Sequence, residues 1–315
     1  MDARETIYIL GSGAVGFPLA ASLTAAGRSV IAVRTSRADV PRSTITVTLD
    51  SGAQRTSAPV ETVSLAGLTS LDGVIVIAAK AHANQAIARE LSAKGARGPI
   101  ILLQNGIGVE QPFLDAGFPS IYRCVLYVTS QASGEHEFLF RPVTASPIGV
   151  IAGTEAELQR CVGLLDTAGF PFRSEANIQR EIWKKAILNA VFNSICPLLE
   201  ADNGIFARDA AVADLAREVV RECVELTDRL GLGLSEAELL EQLLLISRRS
   251  DGQLISTLQD LRSGRPTEIA FLNMAIARVA ESLEPAMQLP RVALLGQLIQ
   301  AKAAQRPRGA DDRRV

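Results

Sequence analysis

The sequence predicts an α/β protein with an N-terminal Rossmann-type domain, built on a mainly parallel sheet, and an all-helical C-terminal domain. Short apolar runs alternate with helical stretches in the first half of the chain, and a glycine-rich turn directly follows the first of these runs. Beyond about residue 177 the strand patterns cease and long periodic apolar segments take over. We therefore predict two domains, residues 1–175 and residues 176–315.

The predicted strands of the first domain are continuously apolar rather than alternating. They cover residues 6–10, 29–33, 74–79 and 99–103, and helices reach residue 26 and span about residues 84–91. Strands of this kind are typical of a parallel sheet that is covered on both faces. A pair of short strands around residues 50–53 predicts a hairpin.

Helix starts are the clearest signals in the rest of the chain. Thr154 with Glu157, and Ser235 with Glu238, both match the capping-box pattern. The segment 181–195 is apolar almost all round, which predicts a buried helix. The many glutamates of the later helices are expected on solvated faces.

Composition limits the classes of function. The chain has 315 residues, of which 48% are hydrophobic and 21% charged, so it can build a substantial core. Aromatic residues make up only 4%, the net charge is -2, and no dense Lys/Arg stripe occurs, which argues against binding of nucleic acid. No apolar stretch is long enough to cross a membrane, and the N-terminus does not match a signal peptide.

The four cysteines are scattered and form no CxxC pair. We interpret them as reduced, mostly buried residues of a cytoplasmic protein. His82 and His136 are isolated, and neither belongs to a pattern typical of a metal site or a catalytic triad. We therefore expect no metal.

The glycine-rich turn has the sequence GSGAVG and lies between the first strand and the first helix. In this context the first glycine permits a tight turn, the second lets a pyrophosphate approach the backbone, and the third lets helix and strand pack closely. The helix N-terminus favours the negative charge of the phosphates. The alternative, a packing turn without a nucleotide, is disfavoured by this context. The predicted cofactor-binding residues of the turn are Gly11, Ser12, Gly13, Ala14, Val15 and Gly16.

The end of the second strand bears on which dinucleotide is bound. An NAD site usually has Asp or Glu there for the ribose hydroxyls, whereas this chain has Arg34 and Arg37 and no adjacent carboxylate. Guanidinium groups bind phosphate through paired hydrogen bonds, so we predict NADP(H), with Arg34 on the 2′-phosphate and Arg37 as the second candidate. The alternative is that both are solvated loop charges, and for Arg37 alone the two interpretations carry equal weight.

Polar residues also follow two later strands. Lys80 ends the third long apolar strand, and Asn105 follows the fourth within the segment QNGIG. Ligands of open α/β sheets bind outside the carboxyl ends of the strands, so we expect Lys80 near a phosphate or ribose and Asn105 near the nicotinamide or the substrate. The alternatives are an exposed strand end for Lys80 and a tight Asn-Gly turn for Asn105.

A line of polar residues interrupts the predicted buried helix. Lys185, Asn189 and Asn193 are four residues apart and therefore share one side of it. Because buried polar groups cost free energy unless they are satisfied, we predict that this side faces a ligand-lined cleft. The alternative is a solvated edge. Lys184 lies away from this side and is expected to be exposed.

Six segments occur in a fixed order along the chain: GSGAVG, Lys80, LQNGIG, IWKKAILNAVFN, ADNG and STLQDLRSGRPTEI. In these segments the chain resembles the ketopantoate reductase (2-dehydropantoate 2-reductase) family over nearly its whole length. The resemblance implies a Rossmann domain that binds NADP, a helical domain like the C-terminal domain of 6-phosphogluconate dehydrogenase, and an active site between them. It also implies NADPH-dependent reduction of the C2 ketone of 2-dehydropantoate to (R)-pantoate in pantothenate biosynthesis.

The resemblance implies roles for individual residues. Lys185 matches the family's general acid, and Glu268 matches its active-site glutamate, which can pair with that lysine or with a substrate hydroxyl. An ammonium group at the ketone stabilises the charge that develops on oxygen and can supply the proton. Lys80 and Asn105 match the family's cofactor-side residues. The implied substrate-binding residues are Asn105, Asn189, Asn193, Asn203 and Ser256.

Three positions depart from the family's pattern. Gln253, Met274 and Val292 stand where the family often has asparagine, glycine and asparagine. We interpret them as changes on the substrate side, so another branched 2-oxo acid is an alternative substrate. A non-catalytic protein that senses NADP is an alternative of a different class, against which the retention of Lys185 argues. The helical domain is also a candidate homodimer interface.

Overall fold

The computed structural model describes residues 5–35 and 41–305 of the chain. Within these residues the chain forms two compact units. The first unit runs as far as Gln104 and continues from Val109 to Ile178, and the second contains Asn105–Gly108 and begins again at Gln179. The segment Asn105–Gly108, which we assigned to the first domain, therefore packs within the second unit.

The first unit is built on one mixed sheet that, within the described residues, has eleven strands. The strands are β1 Thr6–Leu10, β2 Ser29–Arg34, β3 Ser43–Asp50, β4 Arg55–Ser64, β5 Gly73–Ile77, β6 Ile100–Leu102, β7 Ile121–Cys124, β8 Val128–Gly134, β9 Glu137–Pro142, β10 Ser146–Ala152 and β11 Phe172–Ser174. Their order is β11-β10-β7-β6-β5-β1-β2-β4-β3-β9-β8. The run from β7 through β1 to β4 is parallel throughout, which confirms the predicted mainly parallel sheet.

Both faces of this sheet are covered, as the continuously apolar strands predicted. The helices of the unit are α1 Gly16–Ala25, α2 Asn84–Ala93, α3 Gln111–Asp115 and α4 Glu155–Leu165. Ile7 and Ile9 of β1 belong to one buried cluster with residues of α1 and α4. Tyr8 and Leu10 belong to the opposite cluster with residues of α2 and α3. Successive residues of β1 thus face opposite layers, both of them apolar.

The outer strands of the sheet were not predicted from the sequence. β8 and β9 form an antiparallel hairpin, and β9 joins the sheet by pairing with β3. Most residues of β8 are exposed and polar, so this strand lacks the apolar run that identified β1 and β5. The predicted helix caps are confirmed, since Thr154 accepts the Glu157 N–H and Ser235 accepts the Glu238 N–H, each at 3.2 Å.

The rest of the described chain is helical, as predicted. The helices are α5 Ile178–Leu199, α6 Ile205–Arg208, α7 Ala210–Arg229, α8 Glu236–Arg249, α9 Ser256–Arg262, α10 Asn273–Glu281 and α11 Pro290–Ala304. A third buried cluster gathers apolar side chains of α5, α7, α8, α10 and α11. Trp183, Ile187 and Val191 of α5 lie inside it, which confirms that this helix is buried.

Glu222 on α7 is an exception to the expected solvated glutamates, because it is buried. Its carboxylate accepts the backbone N–H groups of Arg291 and Val292, all at 3.1 Å, and the Arg291 guanidinium at 2.9 Å. Since α11 begins at Pro290, these are N–H groups of the first turn that no carbonyl of the helix can reach. The carboxylate of Glu222 on α7 therefore caps the start of α11. Its negative charge interacts favourably with the positive end of the α11 dipole.

We predict that Glu222→Gln lowers the free energy of unfolding of the protein by about 1–3 kcal/mol, because the neutral amide removes a charged acceptor from buried donors. Urea denaturation followed by far-UV circular dichroism measures this. Glu218→Gln, one turn earlier on α7, is the matched control. Glu218 also contacts Arg291, at 3.2 Å, but its side chain is 38% exposed, so we expect a loss of less than about 1 kcal/mol. Equal losses for the two variants would contradict the capping role.

Candidate functional site

The glycine-rich turn of the first unit leaves space at the start of α1. Gly11 has φ +109°, and a Cβ there would lie 2.3 Å from the backbone N of Ala79. A Cβ on Gly16 would lie 1.8 Å from the carbonyl oxygen of Gly11. Neither position admits a side chain, whereas a Cβ on Gly13 would meet nothing within 4 Å. The turn is therefore closely packed at Gly11 and Gly16 and open at Gly13, and this open space suits the approach of a pyrophosphate.

Arg34 lies beside this turn. It is the last residue of β2, and the carbonyl of the preceding Val33 accepts the Gly11 N–H at 2.9 Å. Its guanidinium carbon lies 5.9 Å from the centre of the Phe17 ring, and its buried Nε has no hydrogen-bond partner among the described residues. A buried guanidinium N–H without a partner is available to an anionic ligand. Arg37, the second candidate, lies outside the described residues.

Lys80 belongs to the loop on the other side of the same turn. The N–H groups of Ala78 and Ala79 both donate to the carbonyl of Leu10 at 2.8 Å, which fixes the end of β5 against the end of β1. Lys80 follows directly, half-buried, and precedes a 3₁₀ turn at Ala81–Ala83. Since β1 lies between β2 and β5, this is the point at which the strand order reverses, where open α/β sheets bind ligands.

The second unit contains a cavity of about 190 Å³ that collects most of the predicted site residues. This is far more than the ~10–15 Å³ that one water needs and below the ~300–1,000 Å³ of drug-sized pockets, so it suits a small ligand. Of the residues predicted to be catalytic or to bind substrate, only Asn203 is missing from its wall. The lining residues are Asn105, Lys185, Asn189, Asn193, Ile255, Ser256, Thr257, Asp260, Glu268 and Leu272.

Several elements build this cavity. Helix α5 supplies Lys185, Asn189 and Asn193 at intervals of four residues, so the predicted polar line does lie along one wall. The first turn of α9 supplies Ser256, and Glu268 stands just before a 3₁₀ turn at Ile269–Phe271. Ammonium, carboxylate, hydroxyl and amide groups thus meet around one small volume.

Asn105 reaches the cavity because the next two residues bind to that 3₁₀ turn. The Ile107 N–H donates to the carbonyl of Phe271 at 2.8 Å. Gly106 has φ +102°, and a Cβ there would lie 2.5 Å from the same carbonyl oxygen. The glycine of the QNGIG segment is therefore required for close approach of two backbones, beyond its use in a tight turn.

The side-chain amide of Asn193 forms hydrogen bonds within the protein through both its oxygen and its nitrogen. Its Oδ1 accepts the Ser256 hydroxyl and the Thr257 N–H, each at 3.2 Å, and its Nδ2 donates to the carbonyl of Asn189 at 3.0 Å. Helix α9 has no side-chain cap of its own at Ile255. Asn193 therefore supplies the capping acceptor from α5 and fixes the Ser256 hydroxyl at the cavity wall.

Asn203 lies elsewhere in the second unit, in the loop between α5 and α6. Its N–H donates to the carbonyl of Gln253 at 2.9 Å, and its carbonyl accepts the Ser247 hydroxyl at 2.7 Å. The residue is buried, and its Oδ1 has no hydrogen-bond partner in the described part of the chain. The backbone contacts join this loop to helix α8 and to the loop that follows α8, and the side chain is not part of the cavity wall.

The three departures from the family's pattern also lie away from the cavity wall. Gln253 is exposed and contributes its backbone carbonyl to Asn203. Val292 is fully buried in α11, and Met274 on α10 packs where a Cβ on Gly296 of α11 would lie 2.7 Å from its sulfur. None of the three lines this cavity and two of them pack between helices, so their interpretation as substrate-side changes stays a prediction.

Two polar residues of the wall, Thr257 and Asp260, were missed by sequence reasoning. Asp260 is buried and accepts the Arg265 Nε at 2.9 Å. It lies four residues after Ser256, the same interval that revealed the line on α5, so helical spacing was the signal that could have found it.

Lys184 differs from Lys185 in the groups that it contacts. Its ammonium lies 2.8 Å from Glu238 on α8, and Arg180 contacts the same carboxylate. The expectation of a merely exposed lysine is therefore wrong. Burial by itself raises the pKa of Glu238, but hydrogen bonds from Lys184 and Arg180 outweigh it and hold that pKa below the ordinary value of 4.5. Lys184 thus ties α5 to α8, whereas Lys185 lines the cavity.

Because they are buried, the cysteines are poor candidates for a catalytic nucleophile. All four are reduced and buried, as predicted. Burial raises the pKa of the Cys161 and Cys196 thiols to about 12 and that of Cys223 further, so these stay protonated near neutral pH. Among residues 5–35 and 41–305, no group of His, Cys, Asp and Glu is arranged to hold a metal ion. No helix in this part of the chain has the length and apolarity that crossing a membrane requires.

Comparison with known proteins gives consistent matches. The family model for ketopantoate reductase PanE/ApbA matches residues 7–149, and the model for the C-terminal part of that family matches residues 177–303. A 2-dehydropantoate 2-reductase from Pyrococcus abyssi (strain GE5 / Orsay) is 26% identical over 304 residues, which cover 95% of this chain and 98% of the relative.

Two solved structures have the same fold. A dimeric ketopantoate reductase from Staphylococcus aureus has a TM-score of 0.80 at 22% identity, covering 95% of this chain and 99% of that one. D-mandelate dehydrogenase in complex with NADH has a TM-score of 0.82 at 19% identity, with the same coverage of 95% and 99%. At these identities the likeness is evidence for the fold alone, and the fold accommodates more than one activity.

We predict that Asn193→Ala lowers the free energy of unfolding by about 1–3 kcal/mol, because the buried Thr257 N–H loses its acceptor. Asn189→Ala is the matched control, since the contact it makes with Asn193 uses a backbone carbonyl that the substitution keeps. Urea denaturation of both variants measures the difference. If Asn193→Ala were as stable as the wild type, the amide would have no capping role.

Proposed function

This chain belongs to the ketopantoate reductase PanE/ApbA family, and we propose that it catalyses the NADPH-dependent reduction of the C2 ketone of 2-dehydropantoate to (R)-pantoate. This reaction is a step in the synthesis of pantothenate, the precursor of coenzyme A. The name of the Pyrococcus abyssi relative, which matches almost end to end, supports this substrate. Gln253, Met274 and Val292 do not line the cavity, so they do not argue there for the alternative substrate, another branched 2-oxo acid.

The observation that carries the proposal is the cavity of the second unit. A 2-oxo acid with a hydroxyl group needs a donor at its ketone oxygen, donors for its carboxylate and a partner for its hydroxyl. Lys185, Ser256 and Glu268 offer these groups around one volume of about 190 Å³. Asn105 and Asn189 add amides that donate and accept.

When bound, NADPH supplies the hydride that C2 of the substrate accepts. Lys185 stabilises the negative charge that develops on the ketone oxygen and delivers the proton from its Nζ, a contribution typically worth ~10²–10⁴-fold. Glu268, a carboxylate in the same cavity, favours the charged form of that ammonium. Ser256, held by Asn193, orients the substrate carboxylate or hydroxyl.

The first unit supports the choice of cofactor. The open space at Gly13, the N-terminus of α1 and the loop of Lys80 suit a dinucleotide. The D-mandelate dehydrogenase of the same fold was solved with NADH, so the fold by itself does not select NADP(H), and we assign the preference to the side chain at the end of β2. Arg34, whose Nε has no hydrogen-bond partner within residues 5–35 and 41–305, would hold the 2′-phosphate and favour NADP(H) over NAD(H).

We predict that Lys185→Ala lowers kcat for NADPH-dependent reduction of 2-dehydropantoate by about 10²–10⁴-fold, because the proton donor is lost. The loss of NADPH absorbance measures the rate, and NADPH binding is expected to stay unchanged. Lys184→Ala is the matched control, since its ammonium pairs with Glu238 instead, and it should keep a kcat near that of the wild type.

The same assay with a panel of branched 2-oxo acids tests the substrate. Faster turnover of another acid would replace 2-dehydropantoate in the proposal. Tight NADPH binding by the wild type without turnover of any acid would favour the non-catalytic sensor and overturn the enzyme proposal.

We predict that Arg34→Ala raises the KM for NADPH by about 10- to 100-fold, because hydrogen bonds between charged groups contribute ~1.5–3 kcal/mol. The KM for NADH, which has no 2′-phosphate, should change little. Arg28→Ala at the opposite end of β2, where the guanidinium contacts the Gly163 carbonyl, is the control. An unchanged ratio of the two KM values in Arg34→Ala would refute the assignment.

A further inference from the structure

Two buried amide side chains in the first unit, Asn84 and Gln104, form a reciprocal pair that we call the amide clamp. The Gln104 Nε2 donates to Asn84 Oδ1 at 2.7 Å, and the Asn84 Nδ2 donates to Gln104 Oε1 at 2.8 Å. The second hydrogen of each amide goes to a loop carbonyl, Ala79 at 2.5 Å and Val109 at 2.7 Å. Asn84 is 1% exposed and Gln104 7%.

Every N–H of the clamp is used, and both amide oxygens accept. Such a network has one low-energy arrangement, because any rotation leaves a buried donor or acceptor unpaired. Apolar side chains of the same volume would fill the space equally well but would bind neither loop carbonyl. The clamp therefore fixes the two loops in direction as well as in distance.

The two loops that it fixes follow β5 and β6, and the first of them packs against the glycine-rich turn. Ala79, whose carbonyl the clamp holds, packs directly against Gly11 and is followed by Lys80. The carbonyl of Gln104 accepts a guanidinium N–H of Arg123 on β7 at 3.3 Å, and Arg123 in turn pairs with Glu110. The ends of β1, β5, β6 and β7 are thus joined by one chain of buried contacts.

We propose that Asn84 and Gln104 are positioning residues for the dinucleotide: the clamp sets the backbone at Ala79 and so the distance between Lys80 and the glycine turn. The proposal rests on the proposed function of the first unit as an NADPH site. Neither amide is exposed enough to touch the cofactor, so the clamp acts through the loops and not by contact. Its loss raises the cost of ordering those loops on binding, which weakens affinity more than it slows the chemistry.

The test uses Gln104→Glu, which keeps the shape of the side chain but replaces the donor to Ala79 and Asn84 with an acceptor. We expect the Kd for NADPH, measured by its fluorescence, and the KM for NADPH to rise by about tenfold, the effect of leaving a buried polar group unpaired. The kcat at saturating NADPH should fall by less than about threefold, since no reacting group is altered. Gln159→Glu on the exposed face of α4 is the matched control and should leave Kd, KM and kcat unchanged.

A second variant keeps the test decisive if a buried carboxylate prevents folding. Asn84→Ser removes the two donors of Asn84 but leaves room for a water to enter, and the same rise in Kd is expected. Hydrogen exchange of the cofactor-free protein supplies a readout that is independent of activity. Exchange should increase in peptides covering residues 78–84 and 103–110 and stay unchanged in the helices α6 to α11.

The outcomes separate this proposal from the function on which it rests. A wild type that binds NADPH but reduces no 2-oxo acid would defeat the proposed reaction and leave the comparison of Kd values intact. A folded variant with faster exchange in both loops and an unchanged Kd would show that the clamp is scaffold only. A fall in kcat without a rise in Kd would also overturn the positioning role.

Discussion

The structure depends on hydrogen bonds that buried polar side chains make to separate elements of the fold. Removing an amide or carboxylate from water costs several kcal/mol unless hydrogen bonds replace those of the solvent. Asn193 meets the requirement by capping α9, Glu222 by capping α11, and the amide pair of Asn84 and Gln104 by holding two loops. In each case the partner belongs to a different element, so satisfying one group also fixes the geometry of another segment.

This constraint explains how one helix can serve both packing and chemistry. Helix α5 buries Trp183, Ile187 and Val191 in the core of its unit, yet it carries a line of polar side chains along one wall of a cavity. The two neighbouring lysines of α5 have different surroundings, since Lys184 pairs with Glu238 while Lys185 faces the cavity. A shift of one residue in helical register would exchange the two, so the packing of the apolar face decides which ammonium is available for chemistry.

Much of the fold and of the site could be predicted from local sequence. Continuous apolar strands identified β1, β2, β5 and β6, and four-residue spacing identified the side of α5 that lines the cavity. The strand β8 escaped prediction because its mostly exposed polar residues form no apolar run. The strand β9 escaped because only Phe138 and Phe140 of its short segment are buried and its pairing with β3 is remote in sequence. The capping role of Asn193 could not be predicted either. The helical pattern shows which side of α5 carries the side chain, but not that α9 lies there to be capped. The burial of Glu222, likewise, depends on a partner 69 residues away.

The contact between Ile107 and Phe271 also bears on modularity. The chain leaves the first unit after Gln104 and returns at Val109, having lent Asn105–Gly108 to the second unit. A gene fragment that begins at residue 179 would encode every helix from α6 onward but would lack Asn105 and the strip of backbone that binds Phe271. The segments of the two units therefore alternate along the sequence, although each unit has its own hydrophobic core. Recombination between relatives that exchanged only the C-terminal half would combine an Asn105 segment from one parent with a Phe271 turn from the other.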